Sequence, residues 1–294
     1  MFVEAIEKAL QFTRPLHSII RTYGGKQIIP GSGTLFFVNE QACAITCKHI
    51  IEILIDAENK NNRYRQFVAE RNQLPKDGKF KKALQGLELK YHYHESTIIQ
   101  MKNSFVDCVD GFESFTCDVH PLYDLGIIRF NGYKQIRYKG LATFLKDSST
   151  IKQGKMLCRI GYPFPEFSNF KYNEATDDIE WSSEGLSNSP VFPIEGMVTR
   201  FLGDQHGIAG IELSTPGLRG QSGGPLFDDK GAVYGMQSST KHLHLGFDME
   251  DKEILINNKQ KKVTDYSFLH LGQCVHVDII KSFLKEKNVK FYEE

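Results

Sequence analysis

Residues 216–226 read Pro216-Gly217-Leu218-Arg219-Gly220-Gln221-Ser222-Gly223-Gly224-Pro225-Leu226, and this stretch decides how the rest of the chain is interpreted. Glycine permits backbone conformations that side chains forbid, so such a loop can present the Ser222 hydroxyl to a cleft. Nearby backbone N–H groups can then point at one spot, as stabilisation of an oxyanion requires. A tight hairpin turn is the alternative, since Gly, Pro and Ser are common in turns. The extended form Gly-Gln-Ser-Gly-Gly-Pro-Leu is rarer by chance than Gly-x-Ser-Gly, which favours a nucleophilic serine.

A serine hydroxyl is a weak nucleophile without a base, so a histidine and a carboxylate are required elsewhere in the chain. His49 follows directly after the strand-like run 42–46, where its side chain can reach a cleft. Asp124 heads the apolar run 125–130, so its carboxylate needs a strong hydrogen-bond partner, which a histidine ring N–H would provide. The order His, Asp, Ser is that of chymotrypsin-type triads and differs from that of subtilisin and of the α/β-hydrolases.

Composition and charge restrict the class of protein. The chain has 294 residues, enough for one large domain or two packed subdomains. Hydrophobic residues make up 40% and charged residues 24%, as is typical of a globular protein. The formal net charge of +0 argues against nucleic acid or a membrane surface as the main partner. No run of about 18 apolar residues predicts a membrane span.

The N-terminus and the cysteines bear on the compartment. Residues 1–10 contain acidic side chains and no continuous apolar segment, so a signal peptide is not expected. The six cysteines form no dense framework, and Cys43 and Cys47 would lie on one strand, a poor geometry for a disulfide. We therefore expect free thiols and a cytoplasmic location.

Local patterns predict mainly short strands, with helices at both ends and after His49. Residues 2–12 and 50–73 are predicted to be helical, and Asp278 is expected to cap a closing helix over 278–284. The segments 75–82 and 164–192 are expected to be loops. Strands are expected at 34–38, 42–46, 87–93, 96–101, 112–119, 125–130, 156–163, 196–201, 208–213 and on both sides of Ser222. Many short strands separated by turn signals predict an all-β barrel or sandwich.

Five stretches together resemble the trypsin/chymotrypsin-like serine protease superfamily (PA fold), and within it bacterial peptidase domains of the HtrA/Deg type. They are residues 31–38, 45–49, 124–128, 161–163 and 220–226. The resemblance implies a mainly all-β fold of two perpendicular six-stranded β-barrels with the active-site cleft between them. No PDZ-like module is expected after the second barrel, so trimeric chaperone behaviour is not implied.

The same resemblance divides the chain into four parts. These would be an N-terminal helical extension at 1–25, a first barrel carrying the histidine and the aspartate at 26–150, a second barrel with the nucleophile loop at 151–248, and a C-terminal extension with a helix at 249–294. An inserted helix would follow the histidine.

The resemblance also implies a role for each candidate residue. Ser222 would be the nucleophile, His49 the general base and then acid, and Asp124 the group that orients His49. Backbone N–H groups in the segment Gly220-Gln221-Ser222 would form the oxyanion hole. Ser238 would hydrogen-bond the aspartate, and the segment Ser238-Ser239-Thr240 would pair with substrate backbone as an added strand.

The substrate pocket implied by the resemblance is formed by Pro216, Gly217, Leu218 and Arg219, with Pro216 at its base. No acid occupies that base, so cleavage after Lys or Arg is not expected and a neutral P1 residue is. Gln221 stands where zymogen-type members carry an aspartate, so activation by N-terminal cleavage is not expected. The mechanism needs no cofactor and no metal. The expected partners are a protein or peptide substrate and a regulatory protein, with no nucleic acid and no membrane.

Other polar residues have competing interpretations. His92 and His94 alternate along a predicted strand and could bind a metal, although a solvated face is the simpler interpretation without a zinc-like ligand cluster. His242 and His244 form a similar pair after the serine. Asp110 and Asp118 are alternatives for the triad acid, but neither directly heads an apolar strand.

Two further alternatives concern the nucleophile and the function. Cys47 is close to His49 in sequence but lacks a glycine-rich loop, which favours a small buried side chain over a thiol nucleophile. The chain could be a protease-fold module that binds a peptide or partner with little turnover. It could also be an enzyme that stays latent until a partner or a signal orders its loops, with the helix after His49 and the segment 164–192 as regulatory surfaces.

Overall fold

A computed structural model describes residues 2–205 and 207–294. The four α-helices of this part of the chain are α1 (Val3–Phe12), α2 (Lys48–Asn72), α3 (Phe80–Tyr91) and α4 (Val277–Glu286). The strands are β1 (Thr13–Thr22), β2 (Ile28–Phe37), β3 (Cys43–Thr46), β4 (Ile98–Phe105), β5 (Val109–Asp110), β6 (Ser114–Val119), β7 (Gly126–Asn131), β8 (Gln135–Ile136), β9 (Thr143–Phe144), β10 (Met156–Arg159), β11 (Phe170–Asn173), β12 (Asp178–Trp181), β13 (Ile194–Asp204), β14 (Gly207–Leu213), β15 (Pro225–Phe227), β16 (Val233–His244), β17 (Met249–Ile256), β18 (Lys259–Asp265), β19 (Phe268–His276) and β20 (Tyr292–Glu293). None of the described helices is both long enough and apolar enough to cross a membrane.

Six strands form the first sheet, in the order β4-β1-β2-β3-β7-β6. β3 and β7 are antiparallel neighbours, and Thr46 at the end of β3 lies opposite Gly126 at the start of β7. The residues just after β3 and just before β7 therefore meet at one end of this sheet. This register is what brings His49 to Asp124.

Eight strands form the second sheet, in the order β15-β10-β13-β14-β19-β16-β9-β20. β15 also pairs with β16, which closes the first six of these strands into a ring. Counted along the chain, the six ring strands follow one another in the same spatial order as the six strands of the first sheet. Two six-stranded units of one topology confirm the predicted double β-barrel of the chymotrypsin type. One hydrophobic core, which includes Phe36 and Ile45 as well as Leu226 and Val233, extends through both sheets.

The helix predicted over 2–12 is confirmed as α1, but the rest of the N-terminal extension expected at 1–25 is not helical. β1 follows at once and occupies an inner position of the first sheet, between β2 and β4. The strand was hard to detect because two of its polar side chains, His17 and Arg21, are buried. Ser189 hydrogen-bonds the first and Gln100 the second, so an interior position satisfies them.

The C-terminal extension predicted from residue 249 onwards is likewise part of the body. A hairpin of β17 and β18 comes first, and β19 then lies between β14 and β16 in the second sheet. The closing helix α4 is present, but its N-cap is His276, whose ring accepts from the backbone N–H of Asp278. Asp278 lies in the first turn and is not the cap.

Two segments between the predicted elements are also regular. Residues 75–79 are irregular, as predicted for the loop at 75–82, but α3 begins at Phe80 and replaces the rest of that loop and the strand expected at 87–93. Leu87 and Tyr91 lie one helical turn apart and pack in one cluster with Phe67 of α2. The expected loops at 164–192 contain a hairpin of β11 and β12. The inserted helix after His49 is therefore a pair of helices, α2 and α3.

Candidate active site

His49 and Asp124 are in direct contact at the end of the first sheet. Nδ1 of His49 lies 2.9 Å from Oδ2 and 3.0 Å from Oδ1 of Asp124, and the backbone N–H of His49 donates to Oδ1 at 3.1 Å. The hydroxyl of Ser238, from the second sheet, donates to Oδ2 at 2.6 Å. The His49 side chain is 44% exposed and that of Asp124 29%, so the imidazole faces the solvent and the carboxylate lies behind it.

The hydrogen bonds to Asp124 keep it ionised. Burial by itself raises the pKa of this carboxyl, but hydrogen bonds from the His49 ring, from Ser238 and from the His49 backbone lower it to about 2. An ionised carboxylate accepts the Nδ1 proton of His49 and so fixes the ring tautomer, which leaves Nε2 as a proton acceptor. This half of the site is electrostatically ready for general-base chemistry.

The loop around Ser222 depends on two glycines with left-handed backbone conformations, Gly220 at φ +90° and Gly223 at φ +86°. A Cβ at Gly220 would lie 2.4 Å from the carbonyl oxygen of Tyr162, and one at Gly223 would lie 2.0 Å from that of Thr34. Only glycine satisfies both the conformation and the close approach. The glycine spacing read from the sequence therefore has a direct steric cause.

Thr34 of β2 ties this loop to the first sheet. Its hydroxyl donates to the carbonyl of Gly220 at 2.7 Å, and its backbone N–H donates to the carbonyl of Ser222 at 3.0 Å. The side chain of Gln221 is fully buried and bridges the carbonyl of Phe192 and the N–H of Leu218. These bonds fix the peptide planes of the loop.

The backbone N–H groups of Gly220 and Ser222 are left open. Across the described ranges 2–205 and 207–294, neither group has a hydrogen-bond acceptor, whereas the N–H of Gln221 donates to the carbonyl of Leu218. Two fixed and unpaired N–H groups flanking a serine can stabilise an oxyanion. Gln221, which the sequence placed in the same set, contributes its side chain to the loop and uses its N–H within it.

The Ser222 hydroxyl is near the acid–base pair but not bonded to it. Its Oγ donates to the carbonyl of Ser238 at 3.2 Å, the same residue whose side chain holds Asp124. Among the described residues there is no hydrogen bond between Ser222 and His49. Ser238 therefore links Ser222 to Asp124, and rotation about one side-chain torsion of Ser222 would change the acceptor of its hydroxyl.

A comparison with protein families identifies the family of this chain. The family model for the trypsin-like peptidase domain matches residues 31–236. The chain belongs to the trypsin-like peptidase family. Among solved structures, the HtrA-type protease AlgW, in a serine-to-alanine form with a tripeptide, matches this peptidase at 11% sequence identity and a TM-score of 0.46. That match covers 97% of this chain and 63% of the other, so the peptidase spans less than two thirds of it. A search of curated protein sequences gave no significant match.

The predicted substrate segments of the peptidase are in contact with one another. The hydroxyl of Thr240 donates to the carbonyl of Gly217 at 2.7 Å, which joins the edge of β16 to the loop before the nucleophile. The exposed Ser239 hydrogen-bonds Gln273 of β19 at 3.3 Å. Arg219 is exposed beside them, and the carbonyl of Pro216 points inward to a buried guanidinium, that of Arg159.

Cys47 forms a small cluster with the acid–base pair of the peptidase. One ligand atom from each of Cys47, His49 and Asp124 lies within 4.8 Å of the others. Burial and the neighbouring Asp124 carboxylate raise the pKa of the Cys47 thiol well above its usual value, and its sulfur contacts the carbonyl of Gln237 at 3.3 Å. A protonated, fully buried thiol fits a packing role better than a metal ligand or a nucleophile. The absence of a cofactor stays a prediction of the sequence.

The other polar candidates lie elsewhere in the peptidase. Asp110 forms an ion pair with Arg137, and Asp118 forms one with Arg129, so neither contacts His49. The four candidate histidines have separate contacts and share no set of metal ligands among the described residues. His92 caps the end of α3, His94 contacts Ser96, His242 contacts His270 and His244 contacts Asp248.

Sequence reasoning missed two residues near the site. Thr34 lies in the matched stretch 31–38, but a β-branched residue in a strand is common enough to hide a specific role. Arg159 gave a clearer signal, because a charged residue stands among Leu157, Cys158 and Ile160 at the end of β10. A full charge within an apolar strand needs a partner, and Arg159 finds one in the carbonyl of Pro216, a residue of the predicted substrate pocket.

Proposed function

We propose that this peptidase is a serine endopeptidase that cleaves peptide bonds through an acyl-enzyme, with Ser222, His49 and Asp124 as its triad. The observation that carries the proposal is the placement of the His49–Asp124–Ser238 hydrogen-bond chain beside a serine whose neighbouring N–H groups are open. The hydrogen-bond chain and the serine loop could each have a purely structural role if either occurred alone. Together they supply a base, its orienting group, a nucleophile and an oxyanion hole in one cleft.

In the proposed reaction, Ser222 Oγ attacks the scissile carbonyl carbon while Nε2 of His49 takes the hydroxyl proton. The carbonyl oxygen becomes negatively charged and accepts hydrogen bonds from the N–H groups of Gly220 and Ser222. The C–N bond then breaks, and the protonated His49 gives its proton to the leaving amine. A water molecule repeats the sequence on the acyl-enzyme and releases the acid. Asp124 stays ionised throughout and stabilises the imidazolium.

We further propose that the described conformation is a resting one. Two contacts support this: the Ser222 hydroxyl donates to the Ser238 carbonyl, and Thr240 bridges to Gly217 across the predicted substrate pocket. A bound peptide would pair with the edge of β16 and compete for these groups. A regulatory protein acting on α2, which begins at Lys48 directly beside His49, would reach the same site. The cytoplasmic location and bacterial origin stay predictions.

The alternative is a protease-fold module that binds a peptide with little turnover. The unmade bond between Ser222 and His49 is the observation in its favour. Turnover distinguishes the two functions, because a binding module would retain peptides without cutting them.

Hydrolysis of a mixed peptide library, followed by mass spectrometry, tests the proposal. We expect new peptide ends with the wild-type protein and with Ser183→Ala, an exposed serine away from the cleft, and none with Ser222→Ala. Cleavage that persists in purified Ser222→Ala would overturn the assigned nucleophile. A folded wild-type protein that binds library peptides and leaves them intact would favour the binding module.

A further inference from the structure

A fully buried arginine lies at the base of the predicted substrate pocket. Arg159, the last residue of β10, has 0% of its surface exposed. Its Nη2 donates to the carbonyl of Pro216 at 2.6 Å, and to the carbonyl and the hydroxyl of Thr215 at 2.8 and 3.0 Å. Pro216 is the residue that the sequence placed at the pocket base, so the guanidinium lies directly beneath it.

The guanidinium has no anionic partner. Within residues 2–205 and 207–294, Nε and Nη1 of Arg159 have no hydrogen-bond acceptor and no carboxylate forms an ion pair with it. The ionisable groups around it are the thiol of Cys274, which hydrogen-bonds the guanidinium, and the thiol of Cys158. Burial raises the pKa of these two thiols to about 11 and about 12. Both thiols are therefore neutral near pH 7, while a guanidinium remains charged.

Another buried arginine shows what compensation looks like in this chain. Arg21 is 4% exposed, and its guanidinium contacts the side-chain oxygen of Gln100 at 2.7 Å and the carboxylate of Asp177 at 2.8 Å. A buried cation without such a partner is strongly destabilising. The charge of Arg159 lacks such a partner among the described residues, which points to an anionic group supplied by a bound ligand.

The unpaired Nη1 of the guanidinium faces β19, a strand beside the predicted pocket. A Cβ on Gly272 of β19 would lie 2.3 Å from Nη1, so only glycine there leaves room for the arginine. Gly272 is the cross-strand partner of Thr240, and its N–H donates to the carbonyl of Thr215 at 2.9 Å. Arg159 is thus enclosed by the loop before the nucleophile and by the strands expected to contact substrate.

The geometry points to a P1 pocket that takes an acidic side chain, with Arg159 as the specificity-determining residue, so that the peptidase cleaves after Glu and, less well, after Asp. This inference rests on the proposed function and replaces the neutral P1 residue expected from Pro216 alone. The Thr240–Gly217 bridge must open for a side chain to enter. A carboxylate that reaches Nη1 gains a charge-assisted hydrogen bond, which offsets the opening. Glutamate is favoured because its longer side chain reaches deeper.

The first test measures P1 preference with matched peptides that carry Glu, Asp, Gln or Lys at P1. We expect kcat/KM for Glu to exceed that for Gln about 100-fold, because a site built to bind a charged group rejects the neutral isostere. Arg159→Met should reduce the ratio to about threefold or less, whereas Arg159→Lys should keep a reduced acid preference. Arg137→Met, at an exposed ion pair with Asp110, is the control and should behave as the wild type. A wild-type preference for neutral or basic P1 residues would overturn the inference while leaving the peptidase assignment intact.

A second test needs no turnover and so remains decisive if the protein is latent. Thermal unfolding of Ser222→Ala is followed with peptide-amide pools that differ only in a fixed Glu, Gln or Lys, and with sodium acetate. The inference requires a rise in Tm with the Glu pool alone, and loss of that rise in Ser222→Ala/Arg159→Met. Equal shifts with the Glu and Gln pools would contradict it. A shift with acetate as large as that with the Glu pool would assign the site to a free anion and would also contradict it.

Discussion

The two sheets contribute two halves of the proposed active site, and these halves differ in which hydrogen bonds are made. The first sheet presents His49 already bonded to Asp124, and the second contributes Ser238 to that chain of hydrogen bonds. The second sheet also presents Ser222 in a fixed loop, but its hydroxyl is bonded to a backbone carbonyl and not to the base. The half with His49 and Asp124 has its hydrogen bonds made, whereas the half with Ser222 lacks a hydrogen bond to His49 among the described residues.

This difference has a physical origin. A half-buried carboxylate is costly to leave without hydrogen-bond partners, so the fold supplies Asp124 with several. A serine hydroxyl is neutral and rotates among staggered positions at small cost, so its orientation can wait for the substrate. The fold therefore fixes the hydrogen bonds of the Asp124 carboxylate, which would be costly to leave unpaired, and leaves the Ser222 hydroxyl free to reorient.

The largest expected effect on kcat comes from replacing Ser222 or His49, the two residues whose mutual hydrogen bond is not made. Ser222→Ala and His49→Ala should each lower kcat for peptide hydrolysis on the order of 10⁶-fold, because each eliminates the nucleophilic step. The double variant should be no slower than the single ones, since the residues act as a unit. Discontinuous assays with a peptide identified from the library give kcat for each variant. Near-wild-type turnover in either single variant would contradict the triad.

Asp124→Asn removes the negative charge beside His49 and keeps the shape of the side chain. We expect kcat to fall on the order of 10⁴-fold, because the amide favours the wrong tautomer of His49. Asp118→Asn is the matched control, since that carboxylate pairs with Arg129 and does not touch the site. Equal losses in both variants would mean that the effect is one of folding and would remove the evidence for a role of Asp124.

Thr34→Val tests how the first sheet holds the nucleophile loop. Valine keeps the shape but leaves the carbonyl of Gly220 without its hydroxyl donor, so the oxyanion N–H groups lose their fixed direction. We expect kcat to fall on the order of 10- to 100-fold with KM little changed, and Thr34→Ser to restore most of it. A rise in KM with kcat unchanged would place Thr34 in substrate binding instead.

The last prediction concerns stability, and we expect it to have the smallest effect on activity. It involves the contacts between β1 and the segment 164–192. His17 of β1 hydrogen-bonds Ser189 at 2.9 Å and stacks on Phe167, and burial lowers its pKa from 6.5 to about 4. Between these values the unfolded chain binds a proton that the folded chain does not, so stability falls as the pH falls from 6.5 to 4. The loss amounts to about 3 kcal/mol at most.

Chemical denaturation at pH 7 and pH 4 measures this loss. His17→Gln should reduce the difference between the two pH values by that amount, even though it lowers the stability at pH 7. A difference that is unchanged in His17→Gln would show that other groups cause the acid sensitivity.

Much of the fold and the site could be predicted from the sequence because the relevant signals are local. Gly220 and Gly223 are demanded by backbone conformation, and Asp124 directly precedes a strand, so each leaves a readable pattern. β1 and β19 were misjudged since their partners are distant in sequence and their buried polar residues are satisfied only in three dimensions. Arg159 and Thr34 act through such distant contacts too, which is why spacing alone did not assign them a role.

Labelling with a fluorophosphonate probe tests the central claim most directly, because the probe reacts with an activated serine whatever the substrate specificity. We predict that purified wild-type protein and Ser183→Ala become labelled at Ser222, and that Ser222→Ala and His49→Ala do not. Labelling of Ser222→Ala, or attachment of the probe to a different residue in the wild type, would contradict the account.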